Sequence, residues 1–284
     1  MQILAATDLS TRSHRALRRA GLVAQANDAE LTLVHVVDED QPAELVEIET
    51  REVERILDEQ ISAVAELRGV RCRPAVIAGD PFAGILRTAE LMKVDLIVMG
   101  AHRKQLLRDI FVGTTIERVI RTGPCPVLMV NEEVERPYGT VLTAVDTSEP
   151  SAHAIRTAQR LRMIGDAHLT IVHAFFPLAK GKMSFAGLQR ESIDEYVASE
   201  RLRATNELVA FLGANEFADQ RWSRRIEEGR PFEVISRLVE AMKPDLLVIG
   251  THGRSGIAKA LLGSVTEEAL RSLNVDILAV PPTR

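Results

Sequence analysis

The chain contains its own copy, and the length of that copy constrains the fold more than any single motif. Residues 3–10 (ILAATDLS) return as residues 141–148 (VLTAVDTS), and residues 31–35 (LTLVH) as residues 169–173 (LTIVH), both at an offset of 138. Further along, residues 79–82 (GDPF) return as 229–232 (GRPF), and 94–103 (VDLIVMGAHR) as 244–253 (PDLLVIGTHG), both at an offset of 150. The second copy therefore carries 12 extra residues between these sets of matches, around Pro177–Ser192. Solenoid and propeller units repeat every 20–50 residues or so. A unit this much longer is a whole domain, and the 284-residue chain holds two.

Each copy alternates short apolar runs with longer helical segments. Runs at 2–6, 31–37, 71–78, 95–100 and 126–130 are nearly continuous hydrophobics, the pattern of strands buried on both faces. Their counterparts lie near 140–145, 168–175, 220–227, 245–250 and 276–280. Between them, Ser10–Ala26 places Leu17, Ala20, Leu22 and Ala24 on one side. A second helix is expected over 43–67, with Val46, Val53, Ile56, Leu57, Ile61 and Val64 at three- and four-residue steps. This alternation predicts the α/β class, a parallel sheet with helices on both faces. The polar stretch Asn131–Gly139, broken by Pro137 and Gly139, is the expected linker. Two tandem doubly wound domains, 1–133 and 139–284, each with a five-stranded parallel sheet, are the predicted organisation.

Composition narrows the function. No apolar run approaches the roughly 18 residues a membrane helix needs, and the N-terminus lacks a basic region followed by an apolar core, so a cytoplasmic chain without membrane attachment is expected. Cys72 and Cys125 are the only cysteines, too few for a disulfide framework or a cysteine metal site; buried or half-buried thiols are expected. A net charge of −5 argues against a nucleic-acid surface, and Trp222 and Tyr138 offer no stacking platform. The acidity is uneven. Residues 1–138 carry 17 basic and 22 acidic side chains, whereas residues 139–284 carry 18 of each.

In open parallel sheets a ligand sits beyond the carboxyl ends of the strands, where strand order reverses. Asp146 follows the first strand of the second copy, His173 and Ala174 close the second, and Gly250 closes the fourth. From Gly250 the chain runs through Gly253, Arg254, Gly256 and Lys259 to Gly263, Ser264 and Val265. Glycines let a backbone approach a bulky anion, and Gly263-Ser264 opens a helix whose free N–H groups favour one. Arg254 and Lys259 add positive charge. Ser264-x-x-Glu267 also has the spacing of a capping box, which needs no ligand, but a box leaves Gly250, Gly253 and Gly256 unexplained.

The pattern Gly-x2-Gly-x9-Gly-Ser over Gly250, Gly253, Gly263 and Ser264 resembles the nucleotide loop of the universal stress protein family. Asp146 and the pair Val172-His173 resemble that family too, and both copies match along nearly their whole length. The resemblance implies a five-stranded doubly wound fold, strand order 3-2-1-4-5, that binds ATP, AMP or ADP without a Walker loop; neither a Walker loop nor a GxGxxG fingerprint occurs here. Position by position it implies that Asp146 lies near ribose or adenine and the backbone at Ala174 near the adenine edge. Gly250, Gly253, Gly263, Ser264 and Val265 would hold ribose and phosphates, with Arg254 beside them. It further implies pairing of domains through the last strands, 126–130 and 276–280, within one chain. A homodimer of the whole chain is expected in addition.

The first copy departs from the pattern. Asp8, Val36, Gly100, Gly113 and Thr114 keep their places, but Arg103 replaces the middle glycine. Its side chain would fill space the backbone must leave clear; alternatively Arg103, Lys104 and Arg108 could meet an anion directly. Asp38-Glu39-Asp40 follows the second strand, whereas the corresponding stretch of the second copy carries Lys180 and Lys182. The second copy is therefore expected to bind ATP and the first to bind it weakly or to take another ligand. The 12-residue insertion is open to two readings, a lid or a mobile surface loop. His102 and His252 stand two residues after a glycine, placed for a phosphate or for a surface role. His35 and His173 are expected to be satisfied by backbone, and Ser10 and Ser148 to be N-caps. No triad and no metal-ligand spacing appears, and no general base is evident beside the loop. A regulatory binding module is thus favoured over a slow ATPase or nucleotidyl-transfer enzyme, with Mg²⁺ able to use Asp146 and a non-nucleotide sensor in the first copy as a further alternative.

Overall fold

Ten strands form one continuous sheet. The computed structural model describes residues 1–101, 114–134, 136–218, 220–253 and 262–283. In the first half the strands are β1 (Gln2–Ala6), β2 (Glu30–Val37), β3 (Arg71–Ala78), β4 (Leu96–Gly100) and β5 (Val127–Val130). In the second they are β6 (Thr140–Ala144), β7 (His168–Phe175), β8 (Ser223–Glu228), β9 (Leu246–Gly250) and β10 (Asp276–Val280). The order is β3-β2-β1-β4-β5-β10-β9-β6-β7-β8, so each half has the predicted 3-2-1-4-5 arrangement. Strands within each half are parallel, and their cores are almost fully apolar because both faces are covered.

The helices are α1 (Thr11–Asn27), α2 (Ala43–Ala63), α3 (Pro81–Leu91) and α4 (Thr115–Thr122), then α5 (Glu149–Arg160), α6 (Lys180–Phe185), α7 (Arg190–Ala214), α8 (Pro231–Met242) and α9 (Ser264–Ser272). Leu17 of α1, Leu57 of α2, Ile155 of α5 and Leu208 of α7 share one core. Ile85 of α3, Val119 of α4, Val234 of α8 and Ala269 of α9 share the core on the other face. Each core runs through both halves without interruption.

The halves meet at β5 and β10, which pair antiparallel with Leu278 opposite Leu128. Because the seam is antiparallel, the carboxyl ends of the two sets of strands point to opposite edges of the sheet. Anything held at those ends is held twice, on opposite sides of the molecule.

Three details differ from the sequence expectation. The helix expected over 43–67 ends at Ala63; Val64 turns out of it (φ −76°, ψ 118°), and a short 3-10 turn carries Leu67 into the core. The strand expected from 220 starts at Ser223. The insertion is not wholly a loop, because α6 and the first three residues of α7 lie in it, and a hydrogen bond from the Ala179 N–H to the Tyr196 hydroxyl (3.2 Å) ties it to α7. It leaves Phe176, Leu178, Phe185 and Leu188 exposed.

The linker is held rather than loose. Asp276, fully buried at the start of β10, accepts from the N–H groups of Asn131 (2.8 Å) and Glu132 (3.0 Å) and from the Tyr138 hydroxyl (2.8 Å). Arg19 of α1 stands 3.3 Å from the same carboxylate, donates to the Arg136 carbonyl (2.8 Å) and stacks 4.0 Å from the centre of the Tyr138 ring. Among the described residues no helix is long and apolar enough to cross a membrane.

Candidate functional site

The end of each first strand is built the same way, from spacing repeated in the sequence. In the second half Asp146 lies two residues beyond β6. Its Oδ1 accepts from the Ser148 N–H (3.1 Å), the Ser148 hydroxyl and the Ser151 hydroxyl (2.7 Å). Ser148 sits at the N-cap position of α5 but makes no side-chain cap bond; its hydroxyl is turned to Asp146 instead. Thr147 is left in the left-handed region (φ 62°), where a β-branched residue is strained. In the first half the Asp8 carboxylate accepts from the Ser10 N–H (3.0 Å), Leu9 takes the left-handed conformation (φ 59°), and Ser10 caps α1 as expected. Burial pushes the Asp8 carboxyl up, but hydrogen bonds from Ser10 and Ser13 and the nearby Arg12 charge outweigh it and leave the pKa below the ordinary value.

The strand-end histidines hold these turns in place. His173 is buried, with Nδ1 2.8 Å from the Val145 carbonyl, and His35 Nδ1 lies 2.9 Å from the Thr7 carbonyl. A carbonyl only accepts, so each Nδ1 carries the proton. Both histidines are satisfied by backbone, as expected.

Beyond β9 the loop leaves and returns through a clamp. The Thr251 N–H donates to the Val280 carbonyl (2.8 Å), the Gly263 N–H to the Thr251 carbonyl (2.8 Å), and the Thr266 hydroxyl to the Gly250 carbonyl (2.8 Å). Two glycines are required by this approach. A Cβ on Gly253 would stand 2.8 Å from Asp146 Oδ2, and one on Gly263 would stand 3.2 Å from the Thr251 carbonyl oxygen.

The two helix starts then differ. Gly263 is the N-cap of α9 and supplies no side-chain acceptor. The capping-box reading of Ser264-x-x-Glu267 is therefore wrong: Ser264 is one position too late, already the first helical residue. In the first half Thr114 is the N-cap of α4 and its hydroxyl accepts from the Glu117 N–H (3.3 Å). The first helix start is capped by the chain; the second is presented bare to its cleft.

Asp146, Ala174, Gly250, Gly253, Gly263, Ser264 and Val265 line one cleft of about 370 Å³. Asp8, Val36, Gly100 and Thr114 line the other, of about 420 Å³. Each volume falls in the range of small-molecule sites. His102, Arg103, Lys104, Arg108, Gly113, Arg254, Gly256 and Lys259 lie outside the described residues. Asp38, Glu39 and Asp40 are exposed and do not line the first cleft, and Lys180 pairs with Glu228 rather than reaching the second. Several lining residues escaped sequence reasoning. Ser151 and its equivalent Ser13 were legible in the repeated Asp-x-Ser-x-x-Ser spacing. Arg12 and Pro150 occupy equivalent positions, and Arg12 lines the first cleft. Asp80 and Arg230 also occupy equivalent positions, at the N-caps of α3 and α8, one residue before the lining Pro81 and Pro231. Neither thiol is placed for chemistry, since Cys125 is buried and burial pushes the Cys72 thiol up to about 12.

Comparison with known proteins gives one consistent answer. The family model described as universal stress protein family matches twice, over residues 1–131 and 137–281. Universal stress protein E of Salmonella typhi is 26% identical over 207 residues, which cover 71% of this chain; the match spans 65% of that relative's own length. A universal stress protein of Mycolicibacterium smegmatis is 24% identical over 300 residues, covering 99% of this chain and 97% of the relative. Among solved structures, a universal stress protein from Archaeoglobus fulgidus superposes with a TM-score of 0.71 over 99% of this chain and 98% of its own, at 21% identity, which speaks for the fold. The double match covers nearly every residue of both halves, and the chain belongs to the universal stress protein family as a tandem member.

Proposed function

We propose that the second cleft binds ATP, or AMP or ADP in its place, and that the chain is a stress-response binding module whose partner surface or stability changes with nucleotide occupancy. The observation that carries this reading is the contrast between the two helix starts. The N-terminus of α9 has no side-chain cap and sits behind glycines that let the loop backbone close against Asp146 and Thr251, which leaves its free N–H groups to an anion. The N-terminus of α4 is capped by Thr114. Asp146, held by Ser148 and Ser151 beside Gly253, would meet ribose hydroxyls, and the backbone at Ala174 the adenine edge. A Mg²⁺ ion accompanying the phosphates would use Asp146. The first cleft, with Arg12 in place of Pro150 and Arg103 in place of Gly253, takes the nucleotide weakly or takes a different ligand.

Catalysis is the weaker reading. Asp146 is the only carboxylate among the described residues lining the second cleft, and its Oδ1 already accepts from three donors, which suits positioning better than proton abstraction. A homodimer of the whole chain would need a surface other than the last strands, because β5 and β10 pair with each other; light scattering on the eluting protein reads its mass directly.

The test is to denature protein purified without added ligand and identify what it releases by chromatography and mass spectrometry. About one adenine nucleotide per chain is expected, lost in Gly263→Val and kept in Gly113→Val. Retention in Gly263→Val with loss in Gly113→Val would place the site in the wrong half. No nucleotide, with no binding on titration, would end the nucleotide reading. A predominance of ADP would bring slow hydrolysis forward.

A further inference from the structure

We infer that Nε2 of His252 is a phosphate ligand of the second cleft. This rests on the nucleotide reading above and assigns it a contact. His252 is set by its neighbours on both sides. Thr251 is buried, tied by its N–H to β10 and by its carbonyl to the Gly263 N–H. The Thr251 hydroxyl lies 2.9 Å from His252 Nδ1. A Cβ on Gly250 would stand 3.3 Å from the His252 carbonyl oxygen, so the His252 backbone lies close against that glycine. One ring nitrogen is thereby anchored. The other, Nε2, is buried on a residue that lines the cleft and has no hydrogen-bond partner among the described residues.

A buried imidazole nitrogen without a partner is unfavourable, and folded chains pair nearly all such atoms. The strand-end histidines behave normally, each with its Nδ1 against a carbonyl. The exception is the histidine beside the bare start of α9. If the Thr251 hydroxyl donates to Nδ1, the proton resides on Nε2 and that atom is a donor seeking an acceptor. Ser264 and Val265, whose N–H groups belong to the uncapped first turn of α9, line the same cleft. What satisfies all of these donors together is an anionic oxygen, and in an adenine nucleotide that is a phosphate oxygen. Thr251 is then a positioning residue that selects the tautomer.

The experiment titrates ATP, adenosine and inorganic pyrophosphate by calorimetry into nucleotide-stripped full-length protein, wild type, His252→Leu and His252→Gln. His252→Leu is expected to weaken ATP and pyrophosphate about ten- to hundredfold, the loss of one hydrogen bond to a charged group, and to leave adenosine within twofold. His252→Gln, which keeps a donor, recovers part of the loss. The melting temperature of the ligand-free His252→Leu chain is expected to hold or rise, because an unpaired buried nitrogen has been removed; a structural role would lower it. ATP affinity within twofold of wild type in His252→Leu overturns the inference, as does a parallel loss for adenosine, which would move the contact to the ribose. A wild type that binds pyrophosphate in a His252-dependent way but not ATP keeps this contact and removes the nucleotide reading. A wild type that binds neither removes both.

Discussion

Gly253 and Arg103 occupy the same place in the two copies of the sequence, and in the second copy the glycine stands directly against Asp146. The Asp146 carboxylate has little freedom to give, because Ser148 and Ser151 hold its Oδ1 while Oδ2 faces Gly253. A methyl at 253, 2.8 Å from that oxygen, must push either the loop or the carboxylate out of position. Gly253→Ala is therefore expected to weaken ATP by at least about tenfold, since a displacement that breaks one charged hydrogen bond is worth that much. Its effect on thermal stability should be small, because Gly253 itself is only half-buried. Calorimetric titration beside a thermal melt checks this, and unchanged affinity would mean the loop does not define the site. At this scale the sequence showed the residue types but not their partners. Asp146 and the glycines were visible because they repeat or stand out; the pairing of Thr251 with His252 was not, because a hydroxyl beside an imidazole is common and carries no spacing signal.

The elements themselves were nearly all legible. Strands buried on both faces read as unbroken apolar runs, and the run limits fall within about a residue of the observed limits at β1, β2, β3, β4 and β7. Where the pattern was amphipathic or charged it served less well. The edge strand β8 (SRRIEE) offers one alternating face, and α6 has no buried residue to mark it. The linker was the largest surprise, since its order comes from Asp276, 145 positions away from Asn131, and no local pattern announces such a partner. Arg19 and Asp276 form a buried ion pair there, with side chains 5% and 0% exposed. Burial is the main cause that pushes the Asp276 carboxyl above its ordinary value, against opposing hydrogen bonds from Glu132 and Asn131 and the Arg19 charge. The folded chain thus holds this proton more tightly than the unfolded chain, and its contribution to stability falls as pH climbs from the ordinary carboxylate range through the folded value. Arg19→Met removes the compensating charge and is expected to cost about 3–5 kcal/mol at neutral pH. That cost should shrink toward pH 4 as the carboxyl takes its proton. Urea unfolding at both pH values measures it, and a cost that does not change with pH would mean the pair is not what holds the linker.

The whole molecule is two copies fused into one sheet, and the fusion governs how it should respond to a ligand. An exposed last strand is a template for unwanted pairing; here β5 and β10 cover each other, and the strands left at the two ends are β3 and β8. These are guarded, β3 by Arg71, Arg73 and Pro74, β8 by Arg224, Arg225, Glu227 and Glu228. Both hydrophobic cores cross the seam, with Leu128 and Leu278 in one and Met129 and Ile277 in the other, and the Asp276 cluster fastens the linker across it. Among the described residues no boundary in packing separates the half proposed to bind nucleotide from the half proposed to bind it weakly or to take another ligand. Stabilising one half must then stabilise both. At about a hundred times its dissociation constant a ligand adds about 2.7 kcal/mol, and calorimetric melting of the full chain should show one transition that moves upward as a whole. If instead two transitions appear and ATP moves only one, the seam is a contact between independent domains. In that case the cleft at one edge cannot influence the cleft at the other through stability, and only a local change at the second cleft's own rim could carry a nucleotide signal outward.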